Sequence, residues 1–179
     1  NGGGTVIPAG GLTLNNVTLT MANSQGQIDS SNDVTLNGGA TLTLVGNNDL
    51  HSLVFNNTGG TANPTVNTAN GLNLTAIDAI TAVNDNVSTV PTISGTLLTL
   101  PAGANINTST TAFVPTNLVI SAAIDSSGEI NKTGSGSLDL TGASSFSNAF
   151  NLKAGTLMLG SNSALGNATL NISDGTAVL

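Results

Sequence analysis

The sequence predicts an all-β chain folded as a parallel β-helix, a β-solenoid, and three observations support this prediction. Apolar residues recur at every second position in short bursts, charged residues make up only 6% of the chain, and 22 glycines are spread along it. Alternation with a period of two places one set of side chains on one face of a strand. We expect a single segment over residues 1–179, with seven to nine rungs stacked about 4.8 Å apart.

The predicted strands are the bursts in which apolar residues alternate with polar ones. They include Leu12/Leu14, Val17/Leu19/Met21, Val34/Leu36, Leu42/Leu44, Leu53/Phe55, Leu72/Leu74, Leu118/Ile120, Leu138/Leu140, Leu157/Leu159 and Leu170/Ile172. Polar and glycine-rich tracts typical of turns separate them, as at 30–33 and 46–49. The bursts are too short for long hairpins, and their apolar residues are mostly medium-sized aliphatics. A narrow solenoid therefore fits better than a sandwich or an antiparallel barrel.

Two stretches depart from this pattern. Four apolar residues are spaced by three: Leu74, Ile77, Ile80 and Val83. This spacing is typical of a helical turn or a 3₁₀ piece near 75–85, but an irregular loop between two rungs explains it equally well. The polar tract 105–111 indicates either an excursion from the helix or a weak, outward-facing strand.

Composition excludes several classes of partner and site. The net charge is −7, with two lysines, so we expect neither nucleic acid nor an anionic membrane as partner. Cysteine is absent, which excludes disulfides and thiolate metal sites. No apolar run is long enough for a membrane span, and Asn1–Gly11 lacks the regions of a signal peptide. Any export signal is therefore expected to lie outside these residues or to have been removed.

Glycines and leucines follow an ordered pattern between Ile124 and Gly166. The stretch reads Lys132-Thr133-Gly134-Ser135-Gly136-Ser137-Leu138-Asp139-Leu140-Thr141-Gly142, then Phe146, then Gly155-Thr156-Leu157-Met158-Leu159-Gly160 and Ala164-Leu165-Gly166. In order and spacing it resembles the autotransporter-associated β-strand repeat. That repeat usually has a glycine shortly after its aromatic residue, where this chain has Asn148 or Ala149. We therefore expect the local turn to differ and the strand register to be kept.

The resemblance implies a right-handed parallel β-helix of the passenger type, displayed outside a Gram-negative cell by a C-terminal membrane barrel. Residues 53–55, 71–74 and 118–124 resemble, more loosely, the rungs that precede the repeat in passenger domains. No barrel is visible in these residues, so the resemblance implies a passenger segment only. Both ends, 1–6 and 177–179, have a rung-like pattern, so we expect a piece of a longer protein or ends covered by a neighbour.

The single histidine and one of the two lysines are candidates for a chemical role. His51 lies two residues from Asp49 and could pair with it as a base with its orienting carboxylate. Placement on the surface next to a turn is the interpretation that we favour. Lys132, in the context Lys-Thr-Gly-Ser-Gly, lacks the glycine spacing of a phosphate loop, and we expect a solvated lysine in a turn.

Carboxylates were considered as a glycosidase pair. Asp125 and Glu129 flank 126–128, and paired acids of this kind cleave glycosides. With Asp139 they form only a thin carboxylate set, and the chain has no Trp or Tyr to stack on a sugar ring. We therefore expect a turn there, no enzyme activity, and no catalytic, cofactor-binding or metal-binding residues. Thr18/Thr20 and Thr41/Thr43 are too few to favour an ice-binding solenoid.

These observations favour a structural stalk or adhesive passenger segment of an extracellular or bacterial cell-surface protein. Its contacts would come from the polar outer faces and from excursions near 75–85 or 105–111. The partners would be neighbouring rungs, further copies of the chain, or the surface of a host or neighbouring cell. The alternative is a self-assembling subunit of an extracellular fibre, stacked end to end, and a minor alternative is a carbohydrate-active β-helix enzyme.

Overall fold

The computed structural model describes residues 4–22 and 24–178, which form three parallel sheets wound into a solenoid of about seven turns. The first sheet contains β1 (Leu12–Asn15), β3 (Asp33–Asn37), β6 (Ser52–Asn57), β9 (Ile80–Asn84), β12 (Ala104–Ser109), β15 (Ile130–Thr133), β17 (Phe150–Leu152) and β19 (Leu170–Ile172). The second contains β2 (Thr18–Thr20), β4 (Thr41–Thr43), β7 (Thr65–Asn67), β10 (Thr92–Ser94), β13 (Leu118–Ile120), β16 (Ser137–Leu140), β18 (Thr156–Leu159) and β20 (Thr176–Val178). The third contains β5 (Asn47–Leu50), β8 (Gly71–Leu74), β11 (Leu97–Leu100) and β14 (Ala123–Ser126). The predicted parallel β-helix and its seven to nine rungs are confirmed.

Each strand pairs in parallel with its counterpart one turn away. The length of a turn is not constant. Ile80 pairs with Ile106, 26 residues later, whereas Lys132 pairs with Leu152, 20 residues later. The third sheet has four strands against eight in each of the others, so only the middle of the described solenoid has three-sided rungs.

The interior is filled by columns of aliphatic side chains in register. Val34, Leu53, Ile80 and Ile106 follow one another in the first sheet, and each is fully buried. Leu140 is also buried, which confirms its expected inward orientation. Stacking of this kind removes apolar surface from water on both sides of each interior rung. Burial of apolar surface stabilises a fold by about 25 cal/mol per Å².

Val17 is an exception to the alternation at the start of the chain. It was grouped with Leu19 and Met21, but β2 begins only at Thr18, and Val17 is exposed. The preceding Asn16 has a positive φ of 51°, so the chain turns at this point and the period of two is broken.

The helical alternative for the stretch around 75–85 is wrong, and the loop alternative is correct. Leu74 ends β8 and Ile80 begins β9, with bends between them. Ile77 is exposed on this connection, whereas Leu74 and Ile80 are buried. The spacing of three is therefore not periodic: it combines apolar residues of two separate strands with one on the bend between them.

The tract 105–111 is divided between a strand and a loop. Ala104–Ser109 forms β12, in which Ala104 and Ile106 point inward and Asn105 and Asn107 lie toward the outside. Up to Ser109 the tract is a strand, as expected, but the outward-facing orientation is wrong, because alternate residues face the interior and the strand pairs on both sides. The excursion from the sheet begins after Ser109.

The prediction that Lys132 is a solvated lysine in a turn is wrong. Lys132 lies within β15 and its side chain is fully buried. It pairs in register with Ile106 on one side and Leu152 on the other, so it occupies a position in an aliphatic column. The turn begins only after Thr133, and the alternation that starts at inward-facing Ile130 directs Lys132 into the interior.

Glycine is required at the corner that follows β15 and β17. Gly134 and Gly155 have φ values of +75° and +76°, which side chains of L residues rarely adopt. A Cβ on Gly155 would also overlap the carbonyl oxygen of Gly136 in the adjacent rung. A side chain at this corner would therefore clash with the neighbouring rung.

Candidate functional site

A ladder of asparagines runs along the outer face of the first sheet. Each Nδ2 donates a hydrogen bond to the residue one rung earlier: Asn171 to Asn151 (2.9 Å), Asn151 to Asn131 (3.0 Å), Asn131 to Asn105 (3.3 Å) and Asn105 to Asp78 (2.7 Å). A shorter ladder joins Asn56 and Asn37 to Asn15 at 2.9 and 2.6 Å. Amide side chains at one repeated position can form such a ladder because the spacing of the rungs allows each amide nitrogen to hydrogen-bond to the amide oxygen in the next rung. The outer face of the first sheet is therefore lined by ordered polar side chains.

The corner between the first and second sheets is extended in three consecutive rungs. The connections 58–64, 85–91 and 110–117 are longer than those in the rungs before and after them, and together we call them the corner ledge. Buried asparagines support it from inside. Asn57 Nδ2 donates to Asn84 Oδ1 at 2.8 Å, and Asn84 Nδ2 donates to the carbonyl of Thr116 at 2.8 Å. Both side chains are fully buried, so these bonds hold the base of the ledge in a water-poor setting.

One carboxylate orders the outermost part of the ledge. Asp85 Oδ1 accepts hydrogen bonds from the backbone N–H groups of Thr111 (2.5 Å) and Ala112 (3.2 Å) and from the Thr110 hydroxyl (3.1 Å). The bond from the Thr111 backbone contributes most to lowering the pKa of Asp85 below its usual value. The carboxylate is therefore the hydrogen-bonding centre of the loop.

Phe113 is 99% exposed next to this centre. The other three phenylalanines of the chain, Phe55, Phe146 and Phe150, are all buried. Val87, on the adjacent connection of the corner ledge, is also exposed. Sequence analysis missed Phe113, because its local sequence does not distinguish an inward from an outward aromatic residue.

Lys132 is a buried cation held by backbone oxygens. Its Nζ donates to the carbonyls of Thr133 (2.8 Å), Gly134 (3.0 Å) and Ala154 (3.1 Å). Among residues 4–22 and 24–178, no carboxylate forms a salt bridge with it. Burial lowers the pKa of Lys132 from 10.5 to about 8, because the charged form loses its hydration without gaining a counter-charge. The ammonium joins the corner carbonyls of two rungs.

His51 pairs with a different carboxylate from the one that the sequence offered as a candidate. Its Nδ1 lies 2.7 Å from Oδ1 of Asp33, one rung earlier, and not beside Asp49. The Ser52 hydroxyl donates to the same oxygen at 2.5 Å. The pKa of Asp33 is lowered, first by the Ser52 bond and then by the His51 bond. Because Ser52 bonds the carboxylate rather than the imidazole, His51 is not placed to accept its proton. The surface location expected for His51 is correct.

The three acids of the thin carboxylate set lie on different parts of the solenoid. Asp125 is in β14 of the third sheet, and Asp139 is in β16 of the second sheet, where burial raises its pKa. Glu129 precedes β15, and its Oε2 accepts a hydrogen bond from Asn151 Nδ2 at 3.1 Å. They do not form a facing pair. The described residues contain no group of three His, Cys, Asp or Glu side chains placed to bind a metal.

No helix in the part of the chain that the structure describes is long and apolar enough to cross a membrane. Comparison with family models, with curated proteins and with solved structures finds no match for this chain.

Proposed function

We propose that the chain is a non-catalytic stalk and contact segment of a bacterial surface protein of the autotransporter passenger type, working outside the cell. The arrangement of the corner ledge on an otherwise regular solenoid is the observation that carries this proposal. A fixed loop, bonded to the Asp85 carboxylate, presents Phe113 to solvent at 99% exposure. Aromatic residues are common at the centres of interfaces.

The regular part of the molecule suits the role of a stalk. Stacked backbone ladders and amide ladders resist bending without disulfides, which this chain cannot form. The outer faces offer amides and hydroxyls that can form hydrogen bonds with another surface. The resemblance of Ile124–Gly166 to the autotransporter-associated repeat supports the same role.

Adhesion of coated beads tests the contact role. Beads that carry the purified chain are allowed to settle on a layer of bacteria or on an epithelial monolayer and are then washed under flow. We expect retention of beads with the natural chain and a loss of retention with Phe113→Ser. Val178→Ser, which alters an exposed apolar residue three rungs beyond the ledge, should leave retention unchanged. Equal retention of uncoated and coated beads on both surfaces would contradict the proposal.

A self-assembling fibre is the second candidate, and one observation favours it. Ile172 pairs in register with buried Leu152 but is itself 53% exposed. A rung from a second copy, or a further rung of a longer chain, would cover it. Sedimentation velocity and electron microscopy of the purified chain separate the candidates, since concentration-dependent fibrils favour the fibre and a stable monomer favours the stalk.

A further inference from the structure

A groove crosses consecutive rungs along the third sheet. Its volume is about 580 Å³, and Asn73, Thr99 and Asp125 line it in register. A second recess of about 210 Å³ shares Asn73 and Thr99 and extends to Asp49. We call Asp49, Asn73, Thr99 and Asp125 the polar row. Neighbouring members are one rung apart, so the row is about 14 Å long.

The groove has a less polar part beside this row. Two residues beyond each of the last three members of the row, Thr75, Pro101 and Ser127 also line it. Leu97 lines the second recess and is only partly buried. A molecule bound in the groove would therefore contact hydroxyls and short stretches of C–H surface in addition to the polar row.

The polar row has hydrogen-bonding capacity left over. Asn73 Nδ2 donates one bond to Asp49 Oδ1 at 3.0 Å, which leaves its second N–H and its carbonyl oxygen. Asp125 is exposed, and one of its oxygens accepts the backbone N–H of Ser126 at 2.9 Å. Thr99 lies between them and is partly exposed. Acceptors thus lie at the two ends of the row, and groups that both donate and accept lie between them, at the spacing of the rungs.

Charge disfavours one class of ligand, the anions. The residues that line the two recesses include Asp49 and Asp125 but no lysine. The two lysines of the chain, Lys132 and Lys153, lie in or next to strands of the first sheet. An anionic ligand would meet repulsion in a groove without a counter-charge. Carboxylates and amides instead pair well with the hydroxyls of neutral molecules.

We propose that the polar row is a binding site for a neutral, unbranched glycan that lies parallel to the solenoid axis. Such a chain repeats its hydroxyls at every sugar unit, as the row repeats its polar groups at every rung. The inference deepens the contact role proposed above and rests on it for its biological setting. Asp125 acts in binding alone, because Glu129, its nearest acid in the sequence, is bonded to Asn151 on the first sheet.

Calorimetric titration of the full chain tests this site with defined probes. The neutral probes are cellohexaose and xylohexaose, the acidic probe is a hexamer of galacturonic acid, and the cationic probe is hexalysine. We expect binding of a neutral hexamer that is insensitive to salt. Affinity should fall about tenfold with Asp125→Ala and several-fold with Thr99→Val, in line with the loss of single hydrogen bonds.

Matched variants outside the groove serve as controls. Asp174→Ala and Thr81→Val change an exposed acid and a strand threonine elsewhere, and both should bind as the natural chain does. Absence of binding to both neutral hexamers would overturn the inference, as would unchanged affinity in both groove variants. Salt-sensitive binding of hexalysine alone, or binding of the acidic hexamer alone, would also overturn it. Glycan binding without bead retention would reject the cellular contact role and leave the groove standing.

Discussion

Lys132 lies directly beside Ile106 in the interior of the solenoid, so a lysine and an isoleucine occupy the same position in successive rungs. The ammonium compensates for burial only through three backbone carbonyls. An unpaired buried charge is costly even when it is hydrogen-bonded. This arrangement makes the stability of the chain depend on pH.

We expect the free energy of unfolding to rise between pH 8 and pH 10.5. The pKa of Lys132 is about 8 in the folded chain and 10.5 without the burial, so the unfolded chain binds more protons in this window. The cost of burying the charged Lys132 is fully present below pH 8 and disappears above pH 10.5. The free energy of unfolding should therefore rise by up to about 3 kcal/mol. The chain has no Cys or Tyr to titrate in this range. Urea unfolding followed by circular dichroism at several pH values measures the rise.

The two lysines provide a matched comparison for this effect. Lys132→Met should abolish the rise, whatever its stability at neutral pH, because the titrating group is gone. Lys153→Met removes an exposed lysine and should keep the rise. A parallel rise in both variants would show that another group is responsible.

Leu140→Asp should prevent folding or lower the free energy of unfolding by several kcal/mol. Leu140 is 1% exposed between its register partners Ile120 and Leu159, so the new carboxylate would be buried without a partner. Thr141→Asp, at the exposed neighbouring position, should change stability by no more than about 0.5 kcal/mol. Thermal unfolding measures both, and a Leu140→Asp variant that melts like the natural chain would contradict the inward assignment.

Gly155→Ala should destabilise the chain by at least about 2 kcal/mol more than Gly103→Ala. Both glycines have positive φ, +76° and +79°, so both variants incur the strain of a left-handed alanine. Only at Gly155 would the new Cβ meet backbone, the carbonyl oxygens of Gly136 and Gly134, whereas nothing lies within 4 Å at Gly103. Chemical unfolding gives the difference, and equal losses would show that stacking at this corner is looser than the structure indicates.

Asp85→Ala should loosen the corner ledge without unfolding the solenoid. The backbone amide of Thr111 loses its acceptor, whereas that of Ala112 keeps the Thr110 hydroxyl. We therefore expect hydrogen exchange to accelerate markedly at Thr111 and less at Ala112. The lowered pKa of Asp85 means that the natural chain keeps these bonds until the pH falls below the usual value of 3.8. Asp174→Ala is the control, and unchanged exchange at both amides in Asp85→Ala would contradict the role of the carboxylate.

Period-two alternation was sufficient to predict the fold, because inward and outward positions of a solenoid rung are set by the alternation itself. The same rule contained a signal for Lys132, which stands two residues after buried Ile130. The glycines that follow Lys132 are typical of a turn, and they led to the wrong prediction that its side chain is solvated. The polarity of a residue is thus a weaker guide to its orientation in this fold than its place in the alternation.

Contacts between rungs could not be predicted in the same way. His51 meets Asp33, 18 residues earlier, whereas Asn131 meets Asn105, 26 residues earlier. The offset between stacked residues changes with each connecting loop, so neighbours across rungs follow only from the actual register. The groove along the third sheet is missed for the same reason, since Asn73, Thr99 and Asp125 are far apart in the sequence.

The asparagine ladder has a net dipole along the axis of the solenoid. All four amide donors between Asn171 and Asp78 point the same way, so their dipoles add along the axis instead of cancelling. The positive end of this row meets the carboxylate of Asp78, which accepts hydrogen bonds and cannot donate one when ionised. A single amide turned around in the middle would set oxygen against oxygen on one side and nitrogen against nitrogen on the other. The row therefore keeps one orientation as a unit, and the two ends of this face are chemically distinct.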